Sequence, residues 1–197
     1  MMPAPKLPPS YAIETQRCRL RRPSAEDIPH VYSATQHPGF NDGMLWDPPD
    51  SEHDLVEPLC HALEAWDTGK AYSFTIDGLT NHGFLGRISI RPIKAKDAWN
   101  IGFWLHPDHQ GHGYMRESAS ALLRLGFIEL NAKVIEACCA TWNTKSEKVL
   151  QVIGMLYQEH IPRGYQKRGQ WVPESRYAIT ASQWKHQQGS GLTTGRS

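Results

Sequence analysis

Residues 98–141 leave this chain few ways to fold. Residues 98–105 (AWNIGFWL) read as an apolar strand, and His106-Pro107-Asp108 ends it because proline cannot donate to a ladder. Gln110-Gly111-His112-Gly113 then opens residues 114–130, whose apolar side chains recur at helical spacing. Residues 133–141 (KVIEACCAT) form a second buried strand. Two neighbouring strands joined through a helix run parallel, because the crossover returns the chain to the same end of the sheet. The strand, glycine turn and helix N-terminus together also form an anion cradle. Glycines let backbone N–H groups approach a phosphate, and the first-turn donors and helix dipole favour negative charge. A tight turn without a ligand has the same signature. The run lacks the Gly-Lys-Ser/Thr of a Walker loop, and it lacks the third glycine and following acidic residue of a dinucleotide fingerprint. It points to a phosphate-bearing cofactor of another kind.

The remaining segments surround that unit. Residues 1–11 are proline-rich and are expected to be flexible. Residues 14–22 read as a strand carrying Cys18 and Leu20, closed by Pro23. Ser24, with Asp27 three residues on, predicts a helix that turns Ile28, Val31 and Tyr32 inward. Residues 51–68 predict a second helix, with Leu55, Leu59, Leu63 and Trp66 on one stripe. Residues 71–76 and 84–93 read as strands, the second with Arg87 and Arg91 facing away from its apolar neighbours. Residues 143–153 predict a short helix ending at Gly154. Two strands follow, 155–162 and 175–180, separated by a basic loop, RGYQKRGQWVPE, and residues 185–197 are expected to form a disordered tail. The order β-α-α-β-β-β-α-β-α-β-β predicts one α/β (α+β) domain over residues 12–184, with a mixed, mostly antiparallel sheet of six to seven strands flanked by helices.

Composition excludes several classes. With 197 residues, 40% of them apolar, and a net charge of +1, the chain reads as one ordinary globular domain rather than a nucleic-acid binder, which would show a basic stripe. No apolar run approaches the ~20 residues needed to span a bilayer. The N-terminus lacks a signal-peptide core, so a cytoplasmic location is expected. The four cysteines have no C-x-x-C spacing and are expected to be reduced and mostly buried. His106, His109 and His112 cluster in a turn without the carboxylate and histidine arrangement typical of zinc, so no metal site is expected.

The string IGFWLHPDHQGHGYM resembles the pyrophosphate loop of the GNAT superfamily of acetyl-CoA-dependent N-acetyltransferases, whose motif reads Q/R-x-x-G-x-G/A. Gln110 and Gly113 match it, and Met115 stands where glycine or alanine is usual. The wider string is similar to the branch containing the ribosomal-protein-alanine N-acetyltransferases, where methionine at that place is familiar. The element order agrees with that superfamily from about residue 12 to residue 181. The resemblance implies a central parallel pair that splays at its ends, with the pantetheine arm of acetyl-CoA between Phe103, Trp104 and Leu105 on one side and residues 140–142 on the other. It implies the pyrophosphate at Gln110, Gly111, His112, Gly113, Tyr114 and Met115. A main-chain N–H near Phe103 or Trp104 would polarise the thioester carbonyl.

Trp142-Asn143-Thr144-Lys145-Ser146 matches a second segment of that branch, an N-x-x-S beside the pantetheine and thiol. The resemblance implies that Asn143 binds the cofactor's amides and that Ser146 acts as general acid toward the leaving thiolate. Helix capping accounts for the same two residues. Many relatives carry glutamate just before the IGYW-like string, where this chain has Asn100, so no general base is assigned. Asp47, Asp50, His53 and Glu159 are local candidates, and each also suits a solvated surface position. The acceptor site is expected from residues 40–54 and 163–171, with Trp46, Asp47 and Trp171 as substrate contacts. Tyr165 helps frame it, and the aromatic residues suit lids over the core equally. The implied activity is acetyl transfer from acetyl-CoA to a primary amine, on a protein N-terminus or a small molecule, by direct attack in a ternary complex. No cysteine stands where a covalent intermediate is implied, though Cys138 and Cys139 on the strand beside the implied cofactor cleft keep that route open, and a monomer or homodimer without nucleic acid or membrane partners is expected. The alternative is a non-catalytic acyl-CoA-binding or sensor module of the same fold.

Overall fold

A threonine closes the turn between the first two strands. Thr15 Oγ1 donates to Cys18 O and accepts from Cys18 N–H, both at 2.9 Å, folding β1 (Ala12–Glu14) back on β2 (Cys18–Arg21). The single strand expected over residues 14–22 is therefore a hairpin with Arg17 at its tip. This computed structural model describes residues 6–80, 83–95 and 97–190. Residues 1–5 lie outside that set, but the expected flexible segment is packed from Leu7 onward. Leu7 is buried, and its N–H donates to Tyr72 Oη at 3.3 Å.

Capping chemistry places the next two helices. Ser24 and Asp27 form a capping box ahead of α1 (Ile28–Thr35), and Ser51 and Asp54 form another ahead of α2 (Val56–Thr68). Three strands follow, β3 (Tyr72–Gly78), β4 (Gly83–Pro92) and β5 (Ala98–Leu105), then α3 (Tyr114–Ile128), β6 (Val134–Ala140) and α4 (Thr144–Val152). The last elements are β7 (Leu156–Lys167), β8 (Gln170–Thr180) and α5 (Ala181–Ser190).

Among the described residues the sheet has eight strands in the order β1-β2-β3-β4-β5-β6-β8-β7, of which only β5 and β6 pair in parallel. The β1–β2 hairpin supplies the strand beyond the six to seven expected. The basic segment expected as a loop is mostly strand, because Arg168 and Gly169 take positive φ (50° and 77°) and make a two-residue hairpin turn. The expected disordered tail is also displaced, since α5 carries residues 181–190 and Trp184 packs on Phe127 with ring centroids 5.3 Å apart. Residues 191–197 lie outside the described set.

One face of the sheet builds the core. Ile88, Ile90, Ile101, Ile135, Ala137, Tyr177 and Ile179 are buried with Leu122 and Leu123 of α3. Gly126 lets that helix close on the sheet, for a Cβ there would lie 2.6 Å from Ile135 Cδ1 and 2.9 Å from Ile90 Cδ1. By strand alternation the opposite face carries Thr75, Arg87, Asn100, Gly102, Trp104, Glu136, Cys138, Glu174 and Arg176. Asp27 joins α1 to this face, accepting from Thr75 Oγ1 (2.5 Å) and Arg21 Nη2 (2.7 Å), with Arg87 Nη2 3.8 Å away. Of the four free thiols only Cys18 and Cys139 are buried, and Cys60 and Cys138 are exposed, which corrects the mostly buried expectation. Among the described residues no helix is long and apolar enough to cross a membrane.

Candidate functional site

The parallel seam is short. β5 and β6 pair only at Ala98–Val134, Trp99–Ile135 and Asn100–Glu136. Beyond Asn100, residues 101–105 keep their ladder with β4, and residues 137–140 keep theirs with β8. The two strands thus part along Phe103, Trp104 and Leu105, leaving backbone edges that face a cleft. Unpaired strand edges are the usual docking rail for an extended chain of amides.

The cleft opens onto the glycine turn. Gly111 and Gly113 take φ of 85° and 80°, a region costly to side-chain-bearing residues, and nothing lies within 4 Å of a Cβ built on Gly111. Gly113 is the N-cap of α3, and Glu117 N–H donates to its carbonyl at 3.2 Å. The first-turn N–H groups ahead of that bond have no intrahelical acceptor. Gln110 fixes the turn to the strand end, donating from Nε2 to Leu105 O (3.3 Å), while Lys145 Nζ donates to Gln110 Oε1 (3.0 Å). Arg17 reaches in from the β1–β2 tip, with Nη1 donating to His112 O at 3.0 Å and its guanidinium 4.9 Å from the Tyr114 ring centroid. Its charge is shared with Glu117, 2.8 Å from Nε. Arg17, His112, Gly113, Arg116, Glu117 and Ser120 line a pocket of ≈ 450 Å³. Positive-φ glycines, a helix N-terminus and the cations Arg17 and Arg116 fit a pyrophosphate. The Met115 side chain is buried in the core, so only its backbone is available to a ligand, in contrast to the other residues of the turn.

Asn143 and Ser146 meet as the capping reading requires: Asn143 Oδ1 accepts from Ser146 N–H at 3.1 Å. Asn143 and its neighbour Trp142 stand beside the loop of residues 40–54. A Cβ on Gly43 would lie 3.2 Å from Asn143 Nδ2 and 3.2 Å from Trp142 Cη2.

The two segments expected to build an acceptor site come together through Lys167. Its ammonium donates to three backbone carbonyls, Asn41 (2.6 Å), Met44 (2.8 Å) and Trp46 (3.1 Å). Asp47 lies 3.7 Å from Lys167 Nζ and 3.3 Å from Arg168 Nε, so its carboxylate is engaged by the hairpin. Tyr165 Oη approaches Asp42 O at 3.5 Å, and Phe40 sets its edge on Trp104 with centroids 5.3 Å apart. Trp46 joins this cluster through Phe40. Trp171 stands exposed on β8 opposite Gln166, and the hairpin contacts to the loop are made by Tyr165, Lys167 and Arg168. Asp50 and His53 are exposed, and Glu159 is paired with Arg176 at 3.0 Å. Lys167→Met removes three hydrogen bonds from an ionised donor to neutral carbonyls, a kind worth ~1.5–3 kcal/mol each. Amide exchange over residues 41–46 is expected to accelerate at least ~10-fold, about 1.4 kcal/mol of local opening, and an unchanged rate would show that the loop holds without the clamp.

The histidines of the turn acquire a neighbour that their spacing hides. His37, His106 and Asp108 place potential ligand atoms within 4.8 Å of one another. The His106 ring is already engaged, its Nδ1 accepting from Asp108 N–H and its Nε2 facing Ser33 Oγ, each at 3.3 Å. Burial holds its pKa below the ordinary histidine value. Arg17, Arg116 and Lys145 beside the glycine turn, and Lys167 beneath residues 41–46, were not singled out from the sequence. Arg116 and Lys145 adjoin the two motifs and were open to a search for basic residues, whereas nothing local marks Arg17.

Residues 17–156 match the family model described as the acetyltransferase (GNAT) domain, and the chain belongs to that family. It is 32% identical over 100 residues to the uncharacterized N-acetyltransferase YnaD of Bacillus subtilis (strain 168), a match covering 51% of this chain and 59% of that protein. The chain thus spans little more than half the length of that relative. Among solved structures, RimJ of Mycobacterium smegmatis in complex with a coenzyme A disulfide has a TM-score of 0.79 at 19% identity, covering 93% of this chain and 95% of its own. RimL, a ribosomal α-N-protein acetyltransferase in complex with coenzyme A, has a TM-score of 0.77 at 19% identity, covering 86% and 98%. At such identities the likeness is one of fold.

Proposed function

With membership of the GNAT family as the premise, we propose that the protein transfers an acetyl group from acetyl-CoA to a primary amine by direct attack in a ternary complex. The observation that carries the reading is the seam of only three residue pairs opening directly onto a glycine-bearing helix N-terminus. An extended amide-bearing arm suits the first and a pyrophosphate suits the second. Gln110, Gly111, His112, Gly113 and the backbone of Tyr114 and Met115 hold the phosphates, with Arg17 and Arg116 supplying charge. The edge of Phe103, Trp104 and Leu105 receives the arm, and a main-chain N–H there stabilises charge developing on the thioester oxygen. Asn143 keeps its capping bond through Oδ1, which leaves Nδ2 for a ligand amide, and Ser146 donates a proton to the departing thiolate. Trp46 and Asp47 border the acceptor, a protein N-terminus or a small-molecule amine.

Two measurements test this in order. Calorimetry with acetyl-CoA is expected to show saturable binding, and its absence would remove both an enzyme and an acyl-CoA sensor. Thiol release from acetyl-CoA over a panel of N-terminal peptides, polyamines and aminoglycosides then separates the two. Release above the hydrolytic background with at least one amine is expected, and binding without release on any of them would leave a sensor.

A further inference from the structure

Amine acetylation needs a group that takes a proton, and of the candidates read from the sequence Asp47 and Glu159 are engaged by cations while Asp50 and His53 are exposed. Asp47 faces Lys167 and Arg168. Glu136, beside Asn100 across the seam, is 3.2 Å from Arg176 Nη1, and Glu159 is 3.0 Å from Nη2 of the same arginine. Asn100 donates to Glu136 O at 3.3 Å and has no basic atom to offer.

Glu174 differs from all of these. It lies on β8 directly opposite Ala140, the last residue of β6, beyond the point where β5 and β6 part. Strand alternation puts it on the same face as Asn100, Gly102 and Trp104, the face that the Phe40-bearing loop covers. Asn143 N–H donates to Ala140 O at 2.8 Å, so the N-x-x-S segment begins at the same level. Among the described residues its carboxylate has no hydrogen-bond or ion-pair partner, although the residue is half-buried. Gly164 makes room for it: a Cβ at that position would fall 2.5 Å from Glu174 Cγ and 2.5 Å from Oε2. An unpartnered carboxylate kept partly from water on the face where the parted strands lie has lone pairs to offer an ammonium.

We propose that Glu174 docks the acceptor ammonium and takes its proton. The inference rests on the acetyltransferase reading above. The carboxylate removes one proton from the ammonium, and the nitrogen lone pair so released forms the C–N bond at the thioester carbonyl. The C–S bond breaks as the carbonyl re-forms. The second proton lost by nitrogen balances the one gained by the leaving thiolate, which Ser146 or water delivers. The proton on Glu174 returns to solvent. Burial raises the Glu174 pKa above the ordinary glutamate value, toward the range where a base works at neutral pH. Tyr165 from β7 and Cys138 from β6 share its surroundings, and Cys139 feels its charge from the core face, all with raised pKa values, so they add no charge at pH 7.

The test compares wild type with Glu174→Gln and Glu174→Asp on the best amine of the panel, with calorimetry against acetyl-CoA in parallel. Glu174→Gln is expected to bind acetyl-CoA with unchanged affinity, which also reports folding. Its thiol-release kcat/KM should fall ~10²–10⁴-fold at pH 7, the range typical of a lost general base. Its pH–rate profile should lose the acid limb that wild type shows above the ordinary glutamate range, with Glu174→Asp retaining that limb. Activity within about threefold of wild type and the same acid limb would overturn the role of Glu174 while leaving the acetyltransferase intact. A wild type that releases thiol with no amine would overturn both.

Discussion

Gly113→Asp is expected to lower affinity for acetyl-CoA at least ~100-fold, about 2.7 kcal/mol, while the domain stays folded. Gly113 occupies the N-cap of α3, a position that aspartate fills well, and asparagine and aspartate are the side-chain-bearing residues that best tolerate positive φ. The helix therefore survives the change. The new carboxylate, however, stands where the first-turn N–H groups and Arg17 converge, since a Cβ there is 3.4 Å from Arg17 Nη2. It takes those donors for itself and repels a pyrophosphate. Gly113→Ala carries the backbone strain without the charge and should lose no more than ~10-fold, about 1.4 kcal/mol, which matches the ~1–2 kcal/mol cost of a left-handed residue. Calorimetry on both variants separates strain from charge. Unchanged affinity in a folded Gly113→Asp protein would contradict the cradle.

The largest effect on stability is expected at Asp27. Its side chain is 1% exposed and meets Arg21 at 2.7 Å, Thr75 Oγ1 at 2.5 Å and the Ser24 N–H at 3.0 Å. Asp27→Ala leaves Arg21 with Asp77 alone and strands Arg87, which burial already disfavours in its charged form. Removing one partner of a buried charge network costs ~3–5 kcal/mol, enough to bring a domain of this size close to unfolding. Burial alone raises the Asp27 pKa, but hydrogen bonds from Arg21 and Thr75 outweigh it and hold the value below the ordinary aspartate range. A depressed folded pKa contributes stability above the unfolded value of ~3.9, and that contribution disappears as pH falls through the folded value. Urea denaturation should therefore show the full gap between wild type and Asp27→Ala at pH 7 and a narrower one at pH 3. A gap independent of pH would mean that packing, rather than charge, holds α1 to the sheet.

How much of this was legible in the sequence depended on how local each cause is. The bounds of β5 follow from an apolar run stopped by proline, and the Ser24–Asp27 and Asn143–Ser146 caps are short-range chemistry that spacing reveals. Gly154, with φ of 88°, ends α4 as a left-handed glycine should. The two last strands were read, but their extension to a hairpin turn was hidden because residues 163–171 are polar and basic, and Arg168-Gly169 is not the asparagine-glycine pair that normally announces such a turn. The parting of β5 from β6 leaves no mark in residue spacing, and only the resemblance to a family implied it. Arg17 at the cradle, Lys167 under the acceptor loop and Glu174 on the far strand each act across tertiary contacts far along the chain. Periodicity cannot report contacts of that kind.

The brevity of the parallel seam also bears on what keeps the molecule whole. Two antiparallel ladders, β1 to β5 and β6 to β8 with β7, meet at three residue pairs and under Gly126 of α3, which rests on both sides of the join. The acetyl-CoA arm proposed above, seated between them, would supply the ladder that the sheet lacks, and only the folded chain would offer that seat. By thermodynamic linkage its presence adds RT ln(1 + [L]/Kd) to stability, ~2.7 kcal/mol at a hundredfold excess over Kd. Resistance of the proposed complex to unfolding and proteolysis would then rise with the concentration of acetyl-CoA.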